Sequence, residues 1–197
     1  MKTKKQLWIL AGGNGAGKST FYRTRLATKG LAFINADIIA RQLYPDAPES
    51  HSYDAARIAA EIRSQLLEQG RSFCFETVFS HPSKIDFVAE AKALGYEIIL
   101  VFMHLGDSNL NQARVAQRVS EGGHDVPADK VINRIPRTLK NIRIALPLCD
   151  QVYVLDNATY SNPFKQIATL SNGMLEIHQK ALPAWAVELL KEYWRQE

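Results

Sequence analysis

Short apolar segments alternate along this chain with longer stretches in which apolar residues recur every three or four positions. The short segments have the usual length of β-strands, and the longer stretches have the period of amphipathic helices. Because each parallel strand needs a crossover connection before the next, this alternation predicts an α/β fold, with a mostly parallel sheet flanked by helices. The predicted strands are residues 6–11, 32–35, 72–76, 97–104 and 151–155.

The stretches between these strands predict the helices. Residues 18–28, 37–44 and 82–94 are three of them, and Gly95 is placed to stop the third. The longest lies before the third strand, where a single face carries Ala55, Ile58, Ala59, Ile62 and Leu66.

Residues 108–146 depart from this rhythm with two polar, arginine-bearing helical stretches. Gly122-Gly123 is expected to end the first helix, His124 to lie in the loop, and Pro136 to kink or restart the second helix. We interpret this segment as a helical lid on the sheet.

The C-terminal part, about 163–195, predicts a hairpin and a final helix. Two apolar segments, 164–170 and 174–178, flank Ser171-Asn172-Gly173, and residues 183–195 carry an apolar stripe. No repeat or second core is visible, so residues 1–197 are expected to form a single domain.

Composition excludes several classes of protein. The 46% hydrophobic and 22% charged residues exclude a disordered or fibrous chain, and no apolar run approaches the roughly 18 residues of a membrane span. The apolar run 7–11 is shorter than the ~7–15 residues of a signal peptide core. Cys74 and Cys149 match no metal or redox spacing, so we expect reduced core thiols in a cytoplasmic protein.

The net charge of +4 is concentrated in one segment. Residues 110–145 contain seven basic and three acidic residues, a local balance of +4. Positive charge located over the sheet favours the handling of phosphate groups over general binding of nucleic acid.

The residues after the first strand match the phosphate-binding pattern G-x-x-x-x-G-K-[ST], with a strand before it and a helix after it. Glycines let backbone N–H groups turn towards phosphates at a helix N-terminus. Lys18 is expected to reach the β- and γ-phosphates, and Ser19 to bind Mg²⁺. The predicted nucleotide-binding residues are Gly12, Gly13, Asn14, Gly15, Ala16, Gly17, Lys18, Ser19 and Thr20.

Two carboxylates are expected at the carboxyl ends of neighbouring strands, where open α/β sheets bind ligands. Asp37 fits a catalytic base that accepts the proton of an acceptor hydroxyl, and its structural alternative is a helix N-cap. Glu76 fits a metal or water ligand assisted by Thr77; the alternative is a contact to substrate or to a structural arginine.

The lid arginines fit the charge that spreads over a migrating phosphoryl group, because a planar guanidinium matches it well. Arg114 and Arg118 share one helical face, and Arg134 and Arg137 lie three apart on the next helix. The alternative is a solvated basic face paired with the acidic residues Glu121, Asp125 and Asp129.

The ordered set of motifs resembles the zeta-toxin family of P-loop kinases. The resemblance covers roughly residues 6–157 and rests on the phosphate loop and four further segments: Ile34-Asn-Ala-Asp37, Phe75-Glu-Thr77, Arg114-Val-Ala-Gln-Arg118 and 122–127.

That resemblance implies a kinase fold with ATP, or GTP in some settings, as donor and UDP-N-acetylglucosamine as acceptor. It implies that Asp37 is the base and that Glu76 is an acidic active-site residue. It also implies that Arg118 and either Arg134 or Arg137 contact the γ-phosphate. It also implies an antitoxin protein as partner. Two alternatives remain at this point: another small-molecule or polynucleotide kinase, and a nucleotide-dependent binding module that hydrolyses ATP slowly.

Overall fold

The computed structural model describes residues 4–120 and 126–194. Its strands form one sheet in the order β2-β3-β1-β4-β5-β6-β7. Strands β1 to β5 are parallel, and β6 pairs antiparallel with both β5 and β7. The predicted α/β fold with a mostly parallel sheet is therefore confirmed. The strands are β1 Gln6–Ala11, β2 Ala32–Ile34, β3 Phe73–Thr77, β4 Glu97–His104, β5 Gln151–Asp156, β6 Lys165–Ser171 and β7 Met174–Ile177.

Helices connect the parallel strands and cover the sheet. Two of them, α5 and α6, follow β4 and form the predicted lid segment. No helix among the described residues is long and apolar enough to cross a membrane. The α-helices are α1 Lys18–Phe21, α2 Ala36–Leu43, α3 Ser52–Glu68, α4 Ser83–Ala93, α5 Ser108–Ser120, α6 Ala128–Ala145 and α7 Ala184–Leu190.

The two faces of the sheet carry different layers. On one face, Phe75 and Phe102 pack with residues of α3, α4, α6 and α7. On the other, Leu10 and Val101 pack with the segment that begins at α1 and with Phe164. Both cysteines are buried and free, as their apolar surroundings predict.

The central strand β1 positions the phosphate loop. It lies between β3 and β4, and its last residue, Ala11, pairs with Thr77 on one side and Phe102 on the other. The loop after β1 therefore begins at the middle of the carboxyl edge, where the connections after β3 and β4 also start. This is the position at which open parallel sheets bind ligands.

The predicted helix over residues 18–28 is wrong in detail. After the α-helical turn Lys18–Phe21, the hydrogen bonding changes to a π-helical turn, Tyr22–Leu26, and then to a 3₁₀ turn, Ala27–Lys29. The Thr24 hydroxyl donates to the carbonyl of Thr20 at 2.9 Å. This bond competes with the backbone for the same carbonyl and accounts for the altered pattern.

Pro136 does not restart the lid helix, since α6 runs from Ala128 to Ala145 without a break. Pro136 lies on the exposed face, where water can hydrate the carbonyl that loses its backbone donor. The final helix is shorter than predicted, Ala184–Leu190, and gives way to the 3₁₀ turn Lys191–Tyr193. Gly122, Gly123 and His124 lie outside the described residues.

A side-chain bridge joins α4 to the start of β5. Asp150 accepts hydrogen bonds from Lys92 Nζ at 2.6 Å and from the Ile98 amide at 2.8 Å. Burial raises the pKa of Asp150, but the bonds from Lys92 and Ile98 and the charges of Lys92 and Lys4 outweigh it, so the pKa lies below its ordinary value of 3.8. The bridge is therefore stabilising when Asp150 is ionised.

We predict that Asp150→Asn lowers the free energy of unfolding at pH 7 and that the difference from wild type shrinks as the pH falls through and below 3.8. The reason is that a carboxylate with a depressed pKa contributes stability above that pKa and loses it on protonation. Urea unfolding at pH 7 and pH 3 measures the difference. Asp46→Asn, in an exposed loop, is the control; an Asp150 effect independent of pH contradicts the prediction.

Candidate active site

The phosphate loop is a turn between β1 and α1 in which Gly12, Gly15 and Gly17 have positive φ and leave no room for a Cβ. Gly12 has φ 151°, and a Cβ there would overlap the carbonyl oxygen of Met103 on β4. Gly17 has φ 96°, and its Cβ would lie 2.6 Å from Nδ2 of Asn157. Close approach of neighbouring backbone and the left-handed conformation both exclude side chains, so the pattern of glycines is set by space as well as by phosphate binding.

Lys18 is buried inside the loop, with 6% of its surface exposed. Its Nζ donates to the carbonyl of Gly13 at 2.9 Å and lies 3.8 Å from Oε1 of Glu76. Burial lowers the pKa of Lys18; the charges of Glu76 and Asp37 oppose that shift, and Arg118 adds to it. The structure thus brings Asp37, Glu76 and Arg118, from three separate elements, within electrostatic reach of Lys18.

Glu76 is the centre of a polar cluster at the carboxyl end of β3. Its Oε2 accepts from the hydroxyl of Ser19 at 2.7 Å and from Nδ2 of Asn35 at 2.8 Å. A hydroxyl and a carboxylate oxygen in contact are hard ligands of the kind that Mg²⁺ takes, with water and substrate phosphates completing its shell. The donor set therefore fits Mg²⁺, although no group of three or more His, Cys, Asp or Glu suited to a metal occurs among the described residues.

Asp37 is not the cap of α2. The cap is Asn35, whose Oδ1 accepts from the amides of Asp37 at 2.8 Å and Ile38 at 3.2 Å. Asn35 therefore fills the N-cap role that was the structural alternative for Asp37. The Asp37 carboxylate, half-buried in the first turn of α2, is left to interact with Lys18 and with whatever lies at the edge of the sheet.

Sequence reasoning missed the structural role of Asn35. Its side-chain oxygen caps α2, while its side-chain amide nitrogen donates to Glu76. Its rank among favoured N-caps and its place two residues before Asp37 were the available signals.

Two further asparagines missed in the sequence hold the phosphate loop from outside. Asn111, fully buried on α5, donates to the carbonyl of Asn14 at 2.6 Å. Asn157, after β5, donates to the carbonyl of Ala16 at 2.9 Å and accepts from the amide of Phe164 at 2.9 Å. No local signal marks these residues, because each bonds a partner about 100 or more positions away.

The lid arginines occupy different surroundings. Arg118 acts electrostatically on Lys18, whereas the Arg114 guanidinium lies 5.1 Å from the ring centre of Tyr160. Arg134 is half-buried; Arg137 is exposed, and its Nε donates to the carbonyl of Asn133 in its own helix. This contact of Arg137 lies within α6 and does not reach Lys18.

The remaining predicted residues lie along the same edge. Thr77 is half-buried, and its hydroxyl accepts from the amide of Phe79, which fixes the loop after β3. Thr20 is exposed at the surface of α1. The Ser19 hydroxyl, by contrast, donates to Glu76. Of the two neighbouring hydroxyl residues Ser19 and Thr20, Ser19 is therefore the one that contacts the polar cluster.

Comparison with known proteins places this arrangement in a family. A model of the zeta toxin family matches residues 1–161. An uncharacterized protein of Haemophilus influenzae is 31% identical over 135 residues, which make up 65% of this chain and 96% of that protein.

Solved structures share the fold at low sequence identity. AvrRxo1-ORF1 in its complex with ORF2 superposes with a TM-score of 0.72 at 16% identity, over 98% of this chain and 64% of the other. The chain thus spans less than two thirds of the length of that protein. The PezAT toxin–antitoxin system of Streptococcus pneumoniae gives a TM-score of 0.59 at 20% identity, over 79% of this chain and 69% of the other.

The family match covers the phosphate loop, both acidic strand ends and the first lid helix, which are the parts that form the polar site described above. The chain belongs to the zeta-toxin family.

Proposed function

We propose that the protein transfers the γ-phosphoryl group of ATP to a hydroxyl group of a small molecule. The observation that carries this proposal is the convergence of Asp37, Glu76 and Ser19 around the buried ammonium of Lys18. The β- and γ-phosphates would lie along the phosphate loop, with the backbone N–H groups and Lys18 neutralising their charge.

In the transfer step the acceptor oxygen forms a bond to the γ-phosphorus while the bond from that phosphorus to the bridging oxygen of ADP breaks. The proton of the acceptor hydroxyl passes to the Asp37 carboxylate. Ser19 and Glu76 would hold Mg²⁺, which when bound neutralises charge on the phosphates. Lys18 and Arg118 stabilise the charge on the transferring group, and Arg134 or Arg137 would supply the second lid guanidinium.

We infer that the acceptor binds between α2, which carries Asp37 in its first turn, and the loop that follows Thr77, the last residue of β3. We include Thr77 and Arg114 among the substrate-binding residues. The zeta-toxin family favours a nucleotide sugar such as UDP-N-acetylglucosamine as acceptor. The complexes among the similar structures support an antitoxin protein as a partner of this chain.

The first test is Asp37→Asn. We expect the transfer rate to fall by about 10²- to 10⁴-fold, the usual contribution of a positioned base, with ATP affinity unchanged within about twofold. Labelled ATP with a metabolite extract, read by mass spectrometry for a species gaining one phosphoryl group, measures transfer, and calorimetry measures ATP binding. Asp46→Asn, exposed in a loop, is the control.

Transfer at a near wild-type rate excludes Asp37 as the base, and labelling of oligonucleotide ends alone points to a polynucleotide kinase.

A second test separates the two roles of Asn35. Asn35→Ser keeps a good N-cap but removes the amide that donates to Glu76, whereas Asn35→Ala removes both. Since partners that orient a metal ligand are worth about 10- to 100-fold in metal affinity, we expect both variants to raise the half-saturating Mg²⁺ concentration by that factor. Only Asn35→Ala is expected to lose about 0.5–2 kcal/mol of stability as well.

The measurements are a Mg²⁺ titration of transfer activity and urea unfolding of the variants. Unchanged Mg²⁺ dependence in Asn35→Ser would show that the Asn35 amide does not orient a metal ligand.

A further inference from the structure

The loop after β3 contains a buried residue in a conformation that its side chain disfavours. Phe79 has φ 63°, in the left-handed region, and is enclosed in the core. A bulky residue adopts this region only where the surrounding structure holds it there, and such residues concentrate at functional sites. The loop follows Thr77 at the carboxyl edge of the sheet, so the contacts that hold Phe79 also act on the site.

Two buried side chains of α6 hold this loop. The Thr138 hydroxyl donates to the carbonyl of Val78 at 2.9 Å, and Nδ2 of Asn141 donates to the carbonyl of Phe79 at 3.1 Å. Thr138 is 2% exposed and Asn141 is 5% exposed. The two carbonyls belong to the peptide groups before and after the left-handed residue. Since a buried carbonyl is costly to leave without a donor, these bonds fix the loop to α6 in one conformation.

The same loop is tied to the last residue of β3. The amide of Phe79 donates to the hydroxyl of Thr77 at 3.0 Å. The amide of Phe79 is therefore used towards β3, while its carbonyl is used towards α6. A shift of this loop along α6 would break one of these bonds or displace Thr77.

The face of α6 that bonds the loop also carries one of the lid arginines. Residues four and seven apart lie on the same face of a helix, so Arg134 shares the face of Thr138 and Asn141. Arg134 is half-buried, whereas Arg137 is exposed. At a rise of about 1.5 Å per residue, Arg134 stands about 6 Å along α6 from Thr138.

This part of α6 also adjoins the phosphate loop. A Cβ placed on Gly13 would lie 3.7 Å from Cγ1 of Ile135, the residue after Arg134. The inward face of α6 thus reaches from the loop after β3, at Thr138, to the phosphate loop, at Ile135. Arg134 stands on the stretch of helix between these two contacts.

We propose that Thr138 and Asn141 are positioning residues for phosphoryl transfer. They hold the loop after Thr77 in a fixed place relative to Arg134, which supplies the second lid guanidinium. This inference rests on the proposed function and assigns that role to Arg134 rather than to Arg137. Donor and acceptor react only when they are held at close distance and in line, and a misplacement of about 1 Å can cost about 10²-fold in rate.

Substitutions of Thr138 separate its hydrogen bond from its packing. Thr138→Val keeps the shape and removes the donor, whereas Thr138→Ser keeps the donor and removes a methyl group. We expect Thr138→Val to lower the transfer rate at saturating ATP by about 10- to 100-fold and Thr138→Ser to retain a near wild-type rate. Asn141→Leu removes the amide at similar size and should behave like Thr138→Val.

The assay uses labelled ATP with one fixed metabolite extract and varies the ATP concentration. The half-saturating ATP concentration should change by less than about twofold, because the lost interaction is one that acts in the transition state. Wild-type rates in both Thr138→Val and Asn141→Leu overturn the positioning role and leave the proposed function standing. Absence of transfer by the wild-type protein overturns the proposed function, and the positioning role with it.

Thr169→Val is the matched control for the loss of a buried hydroxyl. Thr169 is also buried, and its hydroxyl contacts Nε2 of His178 at 3.0 Å. It lies on β6, which is separated from β3 by three strands. Urea unfolding measures the stability of every variant, and rates are compared for the folded protein. A loss of rate in Thr138→Val that is matched by Thr169→Val at equal stability overturns the proposal in favour of a structural hydrogen bond.

A double-mutant cycle tests whether Thr138 acts through Arg134. Arg134→Met alone should lower the transfer rate. Adding Thr138→Val should then lower it further by less than about twofold, because the guanidinium that the loop is held against is gone. In Arg137→Met, Thr138→Val should keep its full effect. An equal effect of Thr138→Val in both backgrounds overturns the assignment of Arg134.

Discussion

Burial of the Lys18 ammonium is the constraint on which the rest of the site depends. Removing a cation from water costs several kcal/mol unless nearby groups replace the lost hydration. Here the replacement consists of the Gly13 carbonyl at 2.9 Å and the carboxylate of Glu76 at 3.8 Å, with Asp37 adding to the field. Those groups come from the loop itself, β3 and α2. Keeping Lys18 charged therefore requires the sheet order that sets β3 against β1, with β2 on its far side.

Neutral side-chain amides hold this charged group in place. Asn35 connects the cap of α2 to Glu76, Asn111 connects α5 to the loop, and Asn157 connects the loop to the chain after β5. An amide can both donate and accept, so it satisfies backbone carbonyls and N–H groups without adding charge. The charges near the phosphate loop are thus those of Lys18, Asp37, Glu76 and the lid arginines. The loop itself is held rigid by uncharged contacts.

Much of this protein follows from its sequence alone. The alternation of short apolar segments and helical stretches determined the α/β class and five parallel strands, and the spacing from Gly12 to Ser19 determined the phosphate loop, because both are local patterns. The sequence left open whether Asp37 was a cap and whether Pro136 kinked or restarted the second lid helix, and it wrongly predicted one continuous helix over residues 18–28. Only the tertiary structure decided these points and showed that Asn111 and Asn157 hold the phosphate loop. Their roles depend on partners distant in the chain and on burial, and neither quantity is encoded in a local pattern.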